Sequence, residues 1–506
     1  MKGEIGLTSV FERFFAFERD AALFGREVCG VRFWHYIRFH VYTAVVLPYF
    51  VPMSAAHPDM QKGRAAPRRR GFAGRIWGWV RGAWSALRLQ VFGNPAFAVR
   101  RRRVLIALAP RTTRLPDGRR VRLAVDFFVG RLRSSWCVLE APVAGSGYAV
   151  HDGGGRVFVW EAAKAAMDRY RRSPECAAAA PEISAAAGAL ADAITSALGV
   201  PVDAETVRKR IASAVALERA AVPLLRKWLR RLGVGVVAEA VSYSGANMAL
   251  TSAAHAEGIP VVELQHGTVY PAHVAYNLPV ADSPYTPDYL LGWGDWWLRQ
   301  TRNFPSKRAV AAGYPYLDYF LKSFPRRAVR GGKTRVLFIS QGTVGRELAD
   351  AAVRLSGALP EDGFHVAFKL HPSETKRWRE LYPCLLASRV AVVENSAKSV
   401  YECFAESDAT VGACSTALIE GFAWGLPAFI FKGLAGADTM APFCDGVRAR
   451  YVGSVEELAD ALAAANGPSG REAVSGRVAD FFQPDAAAAI SERIDGIVCT
   501  RCKDLL

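Results

Sequence analysis

Acidic residues are missing from a long stretch near the start of this chain: none stands between Met60 and Pro116. Arg68-Arg69-Arg70, Arg81 and Arg100-Arg101-Arg102-Arg103 therefore have no neutralising neighbours in the sequence. Over all 506 residues the formal net charge is +17, a balance that favours anionic partners such as phosphorylated substrates or lipid headgroups. Cysteine is sparse and irregular. Nine cysteines, an odd number without regular spacing, exclude a disulfide scaffold and predict a reducing compartment. Cys499-Thr500-Arg501-Cys502 has metal-like spacing, but no second Cys or His pair completes a tetrahedral site, so no metal is expected. Long apolar runs are also absent. The most apolar, Val41 to Pro52, is too short to span a bilayer and contains Pro48 and Pro52. Met1 to Asp20 carries acids and has no continuous apolar core, so no signal peptide is expected. No helix-turn-helix, RNP or zinc-finger pattern is present, which excludes nucleic acid as the expected partner. The expectation is a cytoplasmic protein without a transmembrane helix.

What is present is a globular composition, 51% hydrophobic, on a chain long enough for two or three domains. Residues 1–100 read as a basic, aromatic helical extension. Arg32 to His40 mixes rings and cations, and Trp77, Trp79 and Trp84 alternate with arginines at helical spacing. Two readings stand for it: a helix lying in an anionic membrane interface, or a solvated basic face packed on the next domain.

Val104 to Ala109 opens an N-terminal α/β domain, expected over 101–325. Residues 160–230 are Ala-rich and helical. Val234 to Ala240, a helix ending near Gly258, and Ile259 to Leu264 then form a βαβ unit with a parallel sheet. Its last strand ends in Gln265-His266-Gly267-Thr268, a polar cluster where backbone can approach a ligand, with His273 in the same loop. Lys322 to Lys333, rich in Arg, Gly and Pro, is the expected boundary.

A second α/β domain is expected over 333–480, followed by a helical tail over 481–506. Arg335 to Ile339 is a strand leading into Ser340-Gln341-Gly342-Thr343, whose glycine and hydroxyls precede a helix and suit an anion. Phe364 to Phe368 is a strand delivering Lys369-Leu370-His371-Pro372-Ser373-Glu374. Pro372 cannot continue a ladder, so Lys369 and His371 are placed at a strand's carboxyl end, where open α/β sheets bind ligands. Asp408 to Gly412 delivers Ser415 and Thr416 to a helix N-terminus, with Glu420 one turn on. These hydroxyls fit either a phosphate site or simple N-capping.

Lys369-Leu370-His371-Pro372 resembles the His-Pro motif of bacterial sialyltransferases, polysialyltransferases and related capsule enzymes that use CMP- or CDP-activated donors. Ser415-Thr416 resembles their Ser-Ser/Thr motif, and Gln265-His266-Gly267 resembles a loop of several surface-polysaccharide transferases. The likeness covers roughly residues 235–435. It implies an α/β fold of two Rossmann-like domains facing a cleft, the GT-B type, with the helical basic extension ahead of them. It further implies metal-independent transfer of a sugar from a nucleotide-activated donor to a glycan or lipid-linked acceptor at the inner membrane face, with no cofactor beyond that substrate. The resemblance assigns Lys369, His371, Glu374, Ser415, Thr416, Glu420, Gly342 and Thr343 to the donor. Gln265, Gly267 and His273 fall to the acceptor side. His266 and His371 are the catalytic candidates, His266 as base. The acidic-acidic-Gly motif that holds the base in sialyltransferases has no copy here, since Glu257-Gly258 lacks the first acid. Three other classes share these features: a polyol-phosphate transferase, a nucleotide-sugar epimerase, and a scaffold with a decayed site.

Overall fold

Val104–Leu108 is apolar and buried at all five positions, the signature of a strand covered on both faces. It lies at the middle of a parallel sheet in the computed structural model, which describes residues 7–50, 93–109, 112–141, 152–280, 283–302, 308–326, 333–465 and 478–504. Numbered along the chain, β1 is Val104–Leu108 and a small antiparallel hairpin follows, β2 Thr112–Arg114 with β3 Arg120–Arg122. Next come β4 Trp136–Glu140, β5 Arg156–Val159, β6 Val236–Glu239, β7 Val261–Leu264, β8 Tyr289–Gly292 and β9 Arg308–Ala311. The order across the sheet is β5-β4-β1-β6-β7-β8-β9, with every pair parallel.

A second sheet contains β10 Thr334–Ile339, β11 Phe364–Lys369, β12 Ala391–Val393, β13 Ala409–Gly412, β14 Ala428–Phe431 and β15 Ala449–Val452. Its order is β12-β11-β10-β13-β14-β15, again all parallel. Each sheet starts in its middle, grows to one side, then returns and grows to the other. The chain thus forms two Rossmann-like α/β domains. In such sheets the reversal point, β1/β6 in one and β10/β13 in the other, opens a crevice at the carboxyl ends.

Helix boundaries follow local chemistry. Ser244 caps Gly245–Ala256 by accepting from Asn247 N at 3.2 Å. Ser399 and Glu402 close a capping box on Val400–Glu406. The helix expected after Ser415 is shorter than its sequence implied: Thr416–Glu420 is α-helical and Gly421–Trp424 tightens to a 3-10 turn.

The described residues divide into two compact units, one holding Thr8–Phe50, 93–313 and 485–504, the other 314–484. Helix Pro315–Ser323 therefore groups with the second sheet, ahead of the Arg/Gly/Pro-rich stretch expected to mark the boundary. The reason is aromatic packing: Phe320 stacks on Tyr401 at 4.3 Å, and Trp424 Nε1 donates to Phe324 O at 2.8 Å. The last helix, Ala486–Asp504, packs Ile490, Ile494 and Val498 into the first sheet's core. Its Asp495 accepts from Arg133 N at 2.9 Å and Ser134 N at 3.0 Å.

Residues 7–50 are helical, as expected, and pack on the first unit. Helices Leu7–Asp20 and Trp34–His40 bury Phe11, Phe14 and Trp34 completely and belong to the first unit. The rings of Arg32 to His40 were expected to form a basic aromatic face; Trp34, His35, Ile37 and Arg38 instead point into the protein. The tryptophan–arginine stretch from Arg68 to Trp84 lies outside the described residues.

Candidate functional site

In the second unit the candidate residues fall around the β10/β13 reversal. Gln341, just past β10, clamps the loop past β13: its Oε1 accepts from Cys414 N at 2.8 Å and its Nε2 donates to Cys414 Sγ at 3.2 Å. Val344 N donates to Gln341 O at 3.0 Å, a turn that puts Gly342 and Thr343 at its tip. The N–H groups of Gly342, Thr343 and Ser415 and the hydroxyls of Thr343 and Thr416 have no hydrogen-bond partner among the described residues. Ser415 Oγ accepts from Ala417 N at 3.3 Å, so that hydroxyl caps its helix while its own N–H stays open. Unengaged donors gathered at a sheet reversal are a setting for an anion.

His371 stands beside this cradle, past the end of β11, which pairs with β10. Two strand spacings, about 10 Å, separate β11 from β13. The imidazole is exposed. Its Nδ1 lies 2.7 Å from Ser373 Oγ and accepts from Ser373 N at 3.3 Å. With Nδ1 accepting from Ser373 N, Nε2 is the ring nitrogen left to donate. Glu374 makes the turn that sets this pose: buried, it accepts from His371 N at 2.8 Å and donates its own N–H to His371 O at 3.0 Å.

Three donor-side expectations change. Glu374 is spent on that turn. Lys369 is buried, its Nζ held 2.5 Å from Asn395 Oδ1, and burial lowers its pKa. It shares a strand side with His365 and Ala367, because side chains alternate and Val366 and Phe368 fill the core. Glu420 was expected to face the crevice. Its Oε2 accepts from Tyr401 OH at 2.8 Å, and burial raises its pKa to about 7 against that bond.

In the first unit, His266 sits past the end of β7 with its side chain 21% exposed. Its Nε2 is 3.0 Å from Tyr243 OH, in the loop after β6, and its Nδ1 is 3.8 Å from Glu263 Oε1. Glu263 is fully buried and accepts from Ser242 Oγ at 2.6 Å and Tyr276 OH at 2.8 Å. Burial raises its pKa to about 7 against the downward pull of the two hydroxyls. Glu239, its register partner on β6, is pushed further up by burial, and its carboxyl is held by Thr251 Oγ1 at 3.1 Å.

The other acceptor-side candidates are structural. Gln265 is buried, accepts from Trp293 N at 2.8 Å and donates to Gly267 O at 2.8 Å. His273 is wedged among Tyr276, Tyr270 and Tyr243, and burial drops its pKa to about 3, which keeps the ring neutral. Gly267 keeps its expected openness: a Cβ there would meet nothing within 4 Å.

Gln341, Cys414, Tyr243, Glu263 and Ser373 carry geometry that motif reading did not assign. Two of them left a trace: a lone acid inside an apolar strand, Glu263 in β7, and an amide two residues past the end of one, Gln341 after β10. A cavity of about 530 Å³ elsewhere in the first unit lies at the amino ends of β7 to β9. Its His255 bonds Pro284 O and Asp288 with its two ring nitrogens, which marks it as structural.

The sequence matches no protein-family model and no curated protein. Solved structures resemble its layout at low identity. A UDP-GlcNAc 2-epimerase from Methanocaldococcus jannaschii is 10% identical over 77% of this chain and 99% of that one, with a TM-score of 0.44. The Neisseria meningitidis UDP-GlcNAc 2-epimerase bound to UDP-GlcNAc is 12% identical over 78% and 99%, TM-score 0.44. A glycosyltransferase from Rickettsia africae is 12% identical over 78% and 99%, TM-score 0.41. Nothing about the chemistry of this chain rests on these likenesses.

Proposed function

We propose that this chain is a glycosyltransferase of the GT-B type. It would move a sugar from a nucleotide-activated donor, CMP- or CDP-linked by motif resemblance, to a surface-polysaccharide or lipid-linked glycan acceptor. The supporting observation is the set of open N–H and hydroxyl donors at the β10/β13 reversal, with His371 Nε2 beside them. As the glycosidic bond breaks, negative charge collects on the leaving phosphate. Fixed donors aimed at it stabilise the transition state more than the ground state. His266 takes the acceptor's proton: Tyr243 OH at Nε2 marks where a hydroxyl hydrogen-bonds, and Glu263 behind Nδ1 favours the imidazolium that results. The reading includes a peripheral place on the inner membrane face for the basic stretch from Arg68 to Arg103. Among the described residues no helix is long and apolar enough to cross a membrane.

Calorimetric titration of the full chain with CMP, CDP, UDP and GDP tests the donor site. One nucleotide is expected to bind, and His371→Ala to weaken it at least tenfold. Equal binding by the variant removes the assignment. In turnover, loss of one such donor costs about 3 kcal/mol, roughly a hundredfold in kcat. Product analysis separates the classes: a glycoside supports transfer, whereas a phosphodiester, or a donor epimerised without acceptor, replaces it.

A further inference from the structure

The hydrogen bonds behind His266 run beyond its own loop into the amino-terminal segment. Arg38, on Trp34–His40, is buried and pairs with Glu18 at two points, Nε to Oε1 and Nη2 to Oε2, both 2.7 Å. The same guanidinium donates to Val274 O and, at 3.2 Å, to Asn277 O. Those carbonyls bracket Tyr276, whose hydroxyl holds Glu263 Oε1, 3.8 Å from His266 Nδ1. Phe39, the next residue, lies against Tyr243 at 4.7 Å, and Tyr243 OH occupies His266 Nε2. Two routes from one helix thus lead to one ring: one ends in the hydrogen bond at Nε2, the other in a buried carboxyl 3.8 Å from Nδ1. A buried ion pair stabilises a fold less well than an apolar pair of the same volume. What a guanidinium supplies and an apolar residue does not is a rigid fork that fixes several acceptors at once.

We infer that Glu18 and Arg38 are a positioning pair for His266, and that Leu7–Phe50 is a wall of the acceptor-side site. The pair's catalytic consequence rests on the function proposed above; its control of the ring does not. Full-length protein labelled with ¹³Cε1-histidine reports it, His266→Gln and His371→Gln assigning the two signals. Arg38→Lys keeps the charge and loses the fork. Glu18→Leu with Arg38→Met restores an apolar pair and is expected to fold. In both, the His266 signal is expected to shift while the His371 signal stays. Backbone exchange over 270–277 is expected to rise about tenfold, and kcat to fall at least tenfold with donor KM unchanged. Glu18→Gln, which keeps the shape, stands in should either fail to fold. An unmoved His266 signal with unchanged exchange in a folded variant overturns the pair's role. A shifted signal alongside full activity in His266→Gln keeps the positioning and sinks the base assignment instead.

Discussion

A histidine donates or accepts according to which nitrogen its neighbours occupy. Ser373 holds Nδ1 of His371 and leaves Nε2 to a ligand; Tyr243 holds Nε2 of His266 and leaves Glu263 behind it. Under the proposed function, that contrast suits one histidine to an anion and the other to a proton. Lys369, the cation that the sequence set beside His371, is bonded to Asn395. Lys369→Met is therefore expected to leave nucleotide affinity within about threefold while lowering the melting temperature, because a charge-assisted hydrogen bond is lost. Titration of the variant with the bound nucleotide checks this. Glu263 supplies a pH signature. Its folded pKa, about 7, lies above the usual carboxyl value, so the folded state holds the proton longer than the unfolded one. Its contribution to stability is complete below about pH 4.5 and is lost as pH rises towards 7. His35 and His273, lowered to about 3 by burial, act the opposite way below about pH 6.5. The difference from a Glu263→Gln variant isolates the carboxyl. Between pH 5 and 8 the wild type is expected to lose on the order of 2 kcal/mol relative to it, read from urea unfolding.

At the scale of elements, the β10/β13 reversal is held by tight contact. A Cβ on Gly436 would sit 2.5 Å from Cys414 Sγ, and the glycine's φ is +83°. Gly436→Ala is expected to cost about 2 kcal/mol and to weaken nucleotide binding with it, since Cys414 must move and takes Gln341 along. Gly267→Ala is its counterpart. With open space around it, the methyl group is expected to change stability by less than about 0.5 kcal/mol. Loss of acceptor use without loss of melting temperature would show that a ligand comes close there.

At the scale of the molecule, the amino-terminal segment is part of the first unit's core. Deleting residues 1–50 removes Phe11, Phe14 and Trp34 from full burial and is expected to yield aggregated protein. A truncation to 100 therefore cannot report membrane contact. Serine at Trp77, Trp79 and Trp84 is the sharper test of that proposal. It is expected to abolish co-sedimentation with anionic vesicles, and undiminished binding would end the idea. Any vesicle binding that comes only from the net charge of +17 should fade with salt, as the Debye length falls to about 3 Å at 1 M.

Periodicity and punctuation are local, and the sequence alone determined what depends on them. Val104 to Ala109 reads as a buried strand and Pro372 as the end of a ladder, because each follows from a few neighbouring residues. The placement of His371, Gly342 and Ser415 past strand ends was legible for the same reason. Tertiary structure decided the rest. Gln341 meets Cys414 across 73 residues, Tyr243 meets His266 across 23, and Arg38 reaches Val274 across 236. Which strands become neighbours sets those pairings, and strand order is chosen by burial of whole faces, which no short window of residues contains. The same burial leaves Lys369, Glu420 and His273 held by their surroundings.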